Sequence, residues 1–141
     1  MRRLLFAAVA SAALITAGGA RAEIVKLDAN MSPSQEVPPP KDAHGTGHMT
    51  GTLNTDTKVL DYDITYSGLT GPATMAHIHG PAGAGANAPI MFPFPNPASP
   101  IKGQATLNDA TVKAIMDGQA YVNVHTQENK AGELRGQIMK Q

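Results

Sequence analysis

The chain has 141 residues, 11 basic and 11 acidic side chains for a formal net charge of zero, five histidines and no cysteine. Balanced charge, with no Lys/Arg cluster beyond the first residues, argues against nucleic acid or an anionic membrane surface as partner. Without cysteine there is no disulfide, no lipid attachment through a thiol and no thiol nucleophile.

Met1-Arg2-Arg3, an uncharged apolar run from Leu4 to Ala17 and the segment Gly18-Gly19-Ala20-Arg21-Ala22 have the order of a secretory signal peptide cut after Ala22. The apolar run is too short to span a bilayer, so no membrane span is expected after cleavage. Export without disulfides suits a bacterial periplasm or the cell exterior. Roughly 119 residues remain, from 23 to 141, enough for one domain held by its core, or by core and metal.

Glu23 to Met31 alternates as a first strand, and Ser32 to Pro40, rich in proline, reads as an extended loop or edge. Thr46 to Asn54 and Lys58 to Ser67 are strands around the turn Asn54-Thr55-Asp56-Thr57. Leu60, Tyr62, Ile64 and Tyr66 share one face of the second, with Asp61 and Asp63 on the other, where a solvated role is expected. Ala73 to His79 is the next strand. The stretch from Gly80 to Pro100 reads as one long loop with an apolar plug of Ile90, Met91, Phe92 and Phe94. Ile101 to Leu107 is again a strand, and Asn108-Asp109 caps a short helix that runs through Met116 and stops at Gly118. Ala120 to Thr126 and Glu133 to Met139 form an antiparallel hairpin. Short strands, many Gly/Pro turns and one minor helix predict an all-β sandwich or barrel of about seven to eight antiparallel strands, with the helix near 108–117.

Chemistry concentrates on three histidines. A strand points residues i and i+2 the same way, so His77 and His79 share a face with Met75, opposite Ala76 and Ile78. In the later strand Val122 and Val124 leave Tyr121, Asn123 and His125 on the polar face; in the last, Leu134 and Ile138 leave Glu133, Arg135 and Gln137 outward. If the strands are neighbours, His125 completes a three-imidazole cluster on a polar outer surface, flanked by Asn123, Arg135 and Glu133. Copper and zinc both accept imidazole. Met75 and Met91 are weaker candidates whose soft thioethers would favour Cu(I), methionine otherwise being a filler of core gaps. His44 and His48 form a looser pair expected to face solvent. The alternative role for the triad is structural, with the rings bonded to the glycine-rich loop and to hairpin carbonyls. Glu133 and Arg135 are expected to form a surface pair. No Gly-x-Ser-x-Gly context surrounds any serine, and no complete catalytic set is evident, so an enzyme is the less favoured reading.

Ser34-Gln35-Glu36-Val37-Pro38-Pro39, Gly68-Leu69-Thr70-Gly71, Ala76-His77-Ile78-His79-Gly80-Pro81-Ala82, Tyr121-Val122-Asn123-Val124-His125-Thr126 and Gly132-Glu133-Leu134-Arg135-Gly136-Gln137 together resemble the chordin-type (CHRD) domain over about residues 25 to 139. The resemblance implies an immunoglobulin-like Greek-key barrel or sandwich in an exported protein, and no particular reaction. A fainter resemblance, to copper/zinc superoxide dismutases, rests on His-x-His, the Gly/Pro-rich loop after it and the late Val-x-x-His strand. It implies copper ligation by His77, His79 and His125 with Arg135 near the approach. The loop from Gly80 to Pro100 lacks histidine, aspartate and cysteine, so a bridging imidazole, a zinc site and a loop disulfide are missing. These readings lead to an exported protein that binds one copper, or zinc, for storage, delivery or resistance; mononuclear dismutase-like activity is an extension of it. The other expectation is a metal-free module whose polar face and proline segment, Gln35 to Pro40, contact an envelope or extracellular protein.

Overall fold

The computed structural model describes residues 23–141; the expected signal peptide, residues 1–22, lies outside the described residues. Nine strands among them build two antiparallel sheets: β1 (Ile24–Met31), β2 (Thr46–Asn54), β3 (Val59–Ser67), β4 (Ala73–His79), β5 (Ile90–Pro93), β6 (Ile101–Thr106), β7 (Tyr121–Thr126), β8 (Leu134–Gln137) and β9 (Met139–Lys140). The five-stranded sheet runs β6-β3-β2-β1-β9 and the four-stranded sheet β5-β4-β7-β8. The chain crosses between sheets after β3, β5, β6 and β8, so the hydrogen-bonded neighbours β3/β6, β4/β7 and β1/β9 are distant in sequence. The expected all-β sandwich is the observed fold.

Alternation decides what faces inward. In β1, Val25, Leu27, Ala29 and Met31 are buried, and Lys26 and Asp28 turn outward. Met49 and Leu53 of β2, Leu60, Tyr62 and Ile64 of β3, and Ala76, Ile78, Val122, Val124 and Leu134 of the other sheet complete the core, with Ile115 closing one end. That residue comes from helix α1 (Asp109–Met116), where the side chain of Asn108 accepts from the Thr111 backbone at 2.8 Å. Gly118, at φ +68°, ends the helix in a left-handed conformation that glycine adopts without strain.

Two short strands depart from the sequence reading. The apolar plug is real, with Phe94 buried edge-on to Tyr62 at 4.8 Å between centroids. Its first part, however, is β5, an edge strand pairing with β4 through Ile78↔Phe92 and His77↔Pro93. An edge needs ladder bonds on one side only, so Pro93 is tolerated. The last expected strand divides at Ile138, which is fully buried between the sheets, and β9 then pairs with β1 through Asp28↔Met139.

The larger departure concerns the four-stranded sheet. All six residues of β7 are buried, on both faces. Two loop segments cover its outer face, one following β1 and the other following β4. The Asn87 side chain donates to the Val37 carbonyl at 2.7 Å and joins them. The polar face read as a wet surface is therefore a second, polar interior.

Ile78 holds the inner side of β4 while its neighbours His77 and His79 hold the outer side, and it is fully buried. Ile78→Ala is expected to destabilise the domain by about 2–5 kcal/mol in urea unfolding.

Candidate metal centre

The β4/β7 register places Met75 opposite His125, His77 opposite Asn123 and His79 opposite Tyr121; β8 adds Arg135 opposite Asn123. Alternation aims all these side chains away from the hydrophobic core, as read from sequence. The expected outer surface is corrected, because His77, His79 and His125 are only 6%, 9% and 5% exposed beneath the loops.

Two backbone carbonyls set the ring orientations. His79 Nδ1 donates to the Ala88 carbonyl at 2.9 Å and His125 Nδ1 to the Lys130 carbonyl at 2.9 Å. Each ring must then carry its lone pair on Nε2. His77 Nδ1 lies 3.1 Å from His125 Nε2 and donates to it. His79 Nε2 is buried without a partner. One ring nitrogen from each histidine lies within 4.8 Å of the other two, in a group that includes no carboxylate. Ligand bonds of about 2 Å set nitrogens about 3.3–3.5 Å apart. The His77–His125 edge, at 3.1 Å, is a few tenths of an ångström shorter, and the separations of up to 4.8 Å would close by roughly 1.5 Å or less on binding.

Burial pushes the His77 pKa down to about 4, with His125 and His79 adding to the effect. Burial also lowers His79, opposed by the Ala88 carbonyl and reinforced by His125 and Arg135, and lowers His125 against the Lys130 carbonyl. All three rings are neutral at pH 7, the state that ligates metal.

Tyr121 is stacked on His79, with centroids 5.0 Å apart and planes 4° from parallel, and carries the Arg135 guanidinium 3.6 Å from its ring centroid. The Tyr121 ring thus packs against both the imidazole and the cation. Arg135 is 1% exposed and donates to the Gly83 carbonyl at 3.0 Å and to Asn87 Oδ1 at 3.4 Å. Its expected surface pair with Glu133 does not form. Glu133, fully buried, accepts from the Thr70 backbone at 2.7 Å, the Thr70 and Thr126 hydroxyls at 2.6 Å each, and Asn129 Nδ2 at 2.9 Å. Burial raises its pKa, and the bonds from Thr126, Thr70 and Asn129 outweigh that and hold it below the usual range. Asn123 donates to Glu36 and to the Leu134 carbonyl. Burial lifts the Glu36 carboxyl to about 7 against the pull of Asn123 and Arg135. Gly132, at φ +139°, lies so close to Glu36 and Asn123 that a Cβ there would stand 2.5 Å from Glu36 Oε1.

The weaker candidates separate. Met75 is 46% exposed at the rim beside His125. Met91 packs against the core and beside Gly80, a filler role. His44 is exposed, and His48 bonds Asp28 Oδ2 at 2.5 Å on the other sheet, so the two make no joint site. Sequence reasoning missed the Tyr121 stack, although its i, i+2, i+4 relation to Asn123 and His125 marked the face. The Glu36 contact spans 87 positions and leaves no local signal. A groove of about 560 Å³ lies on the outer face of the five-stranded sheet, away from the triad. There Asp63 Oδ2 pairs with Lys102 at 2.7 Å and Asp61 accepts from Gln104 at 2.8 Å.

A family model described as the CHRD domain matches residues 27–138. Comparisons with curated proteins and with solved structures gave no match.

Glu133→Gln puts an amide donor among groups that already donate, and is expected to cost about 2–4 kcal/mol at pH 7. The wild-type carboxylate's folded pKa lies below its unfolded value, so the gap is full above about pH 4.5 and closes as pH falls through the folded pKa. Urea unfolding of both proteins at pH 7 and pH 3.5 checks it.

Proposed function

The chain belongs to the CHRD-domain family, and from that premise we propose that it is an exported protein binding a single copper ion, or zinc in its place, through His77, His79 and His125, for storage, delivery or resistance. The observation that carries this reading is the lone pair of His79 Nε2, buried without a partner beside two further imidazole nitrogens. Buried polar atoms without partners are costly, and a cation at this point would turn the cost into a bond. The Ala88 and Lys130 carbonyls hold their rings as ligands are held, by bonding the nitrogen that does not face the ion.

His77 would bind through Nδ1. The proton that Nδ1 now gives to His125 would move to Nε2, so ligation needs a change of tautomer at one ring and no net loss of protons. Asn123, Arg135 and Glu133 would hold the surrounding loops rather than touch the ion. Binding is favoured over turnover because the rings lie closed beneath the loops, with little room for a substrate. The rival reading, a protein-interaction surface on Gln35 to Pro40, is weakened because Glu36 is buried against the domain's own sheet. Periplasmic or secreted placement follows from the expected signal peptide and the family. No helix among the described residues is long and apolar enough to cross a membrane.

Titration of the protein lacking residues 1–22 with Cu(I), Cu(II) and Zn(II) is expected to give one site of sub-micromolar affinity. His77→Ala and His125→Ala should each weaken it at least 100-fold; unchanged affinity in both would refute the reading. Lowered histidine pKa values also predict acid tolerance. Three imidazoles of ordinary pKa would lose about 70-fold in affinity between pH 8 and pH 6 through proton competition. Here the loss should stay under about tenfold across that range and grow as the pH falls further, measured with a competing chromophoric chelator.

A further inference from the structure

Resting on the triad as the ligand set, we propose that this site selects monovalent copper over divalent ions, because its three imidazole donors bring no negative charge and the ring stacked on His79 carries the buried guanidinium of Arg135. The cost of removing an ion from water grows with the square of its charge, so a divalent ion needs compensating negative charge that a monovalent one can do without. The cluster contains no carboxylate. Neither buried carboxyl in the neighbourhood is free to serve: Glu133 is taken up by Thr70, Thr126 and Asn129, and Glu36 by Asn123. Hydroxide, the usual remedy at a three-histidine zinc site, needs water, and the rings are 5–9% exposed.

The charge packed against the ring that stacks on a ligand has the wrong sign for a divalent ion. Among the described residues no carboxylate comes within salt-bridge distance of the Arg135 guanidinium. It lies 3.6 Å from the centroid of Tyr121, whose ring stacks on the ligand His79. A second preference acts through softness. Met75 is directly opposite His125 on the same face of the sheet and half-exposed at the rim. Directly opposed side chains start about 4.5–5.5 Å apart at Cβ, within reach of a methionine thioether, and thioethers select Cu(I) over zinc.

The test is anaerobic competition of the protein lacking residues 1–22 against a Cu(I) chelator and, in parallel, a Zn(II) chelator, with folding checked by circular dichroism. Cu(I) is expected to bind at least 100-fold tighter than Zn(II). Arg135→Gln should narrow that gap at least tenfold by strengthening Zn(II). Met75→Leu, at an exposed position that leaves folding intact, should weaken Cu(I) about tenfold and leave Zn(II) unchanged, which keeps the test decisive if the arginine variant does not fold. A wild-type gap below 100-fold, with both ions lost in His77→Ala, would overturn the selectivity and leave the triad standing as the ligand set. Binding of neither ion, or binding indifferent to His77→Ala, would overturn both.

Discussion

The outer face of the four-stranded sheet is polar in sequence and closed to water in space, and most of what distinguishes this domain follows from the need to satisfy the groups trapped there. Two loop segments make the closure, and their bonds are largely bonds to that face. Arg135 reaches the Gly83 carbonyl, Gln137 the Ala82 carbonyl, His79 the Ala88 carbonyl, and Asn123 reaches Glu36. A wet face would leave each of these groups to water and each loop without an anchor. Such a network fixes one arrangement, because every member that moves leaves a neighbour unpaired.

Closure also sets the electrostatics. Desolvation penalises every charged form in the layer, and the responses differ with the partners at hand. Glu133 keeps its charge because hydroxyl, amide and backbone donors surround it. Glu36, with fewer donors, is pushed up to about 7. The imidazoles give up their protons and remain neutral. Arg135 is accommodated by the face of Tyr121, the Gly83 carbonyl and the Asn87 side chain. The layer thus sets three nitrogen donors beside a ring that carries a guanidinium, a combination that bears on which ion it can hold.

Much of this was legible in the sequence, and the parts that were not share a cause. Alternation in Ala73–His79 and Tyr121–Thr126 assigned faces correctly, and the capping of the helix by Asn108 was local and therefore readable. The same alternation could not tell a covered polar face from a wet one, since the cover comes from segments up to 87 positions away. Hence Glu133 and Arg135, read as an exposed pair, are separately buried. The strand at Ile90–Pro93 was hidden by Pro93, which an edge position tolerates. The burial that sequence reasoning missed is also what lowers the histidine pKa values and leaves His79 Nε2 without a partner.

The most direct test of the central claim is long-range ¹⁵N–¹H NMR of the imidazole rings with and without one equivalent of Cu(I), a diamagnetic ion, which reports each ring nitrogen separately. Metal-induced shifts are expected at Nδ1 of His77 and at Nε2 of His79 and His125, with His44 and His48 unmoved and the Nδ1 protons of His79 and His125 retained. Unshifted triad nitrogens, or shifts confined to His44 and His48, would contradict it.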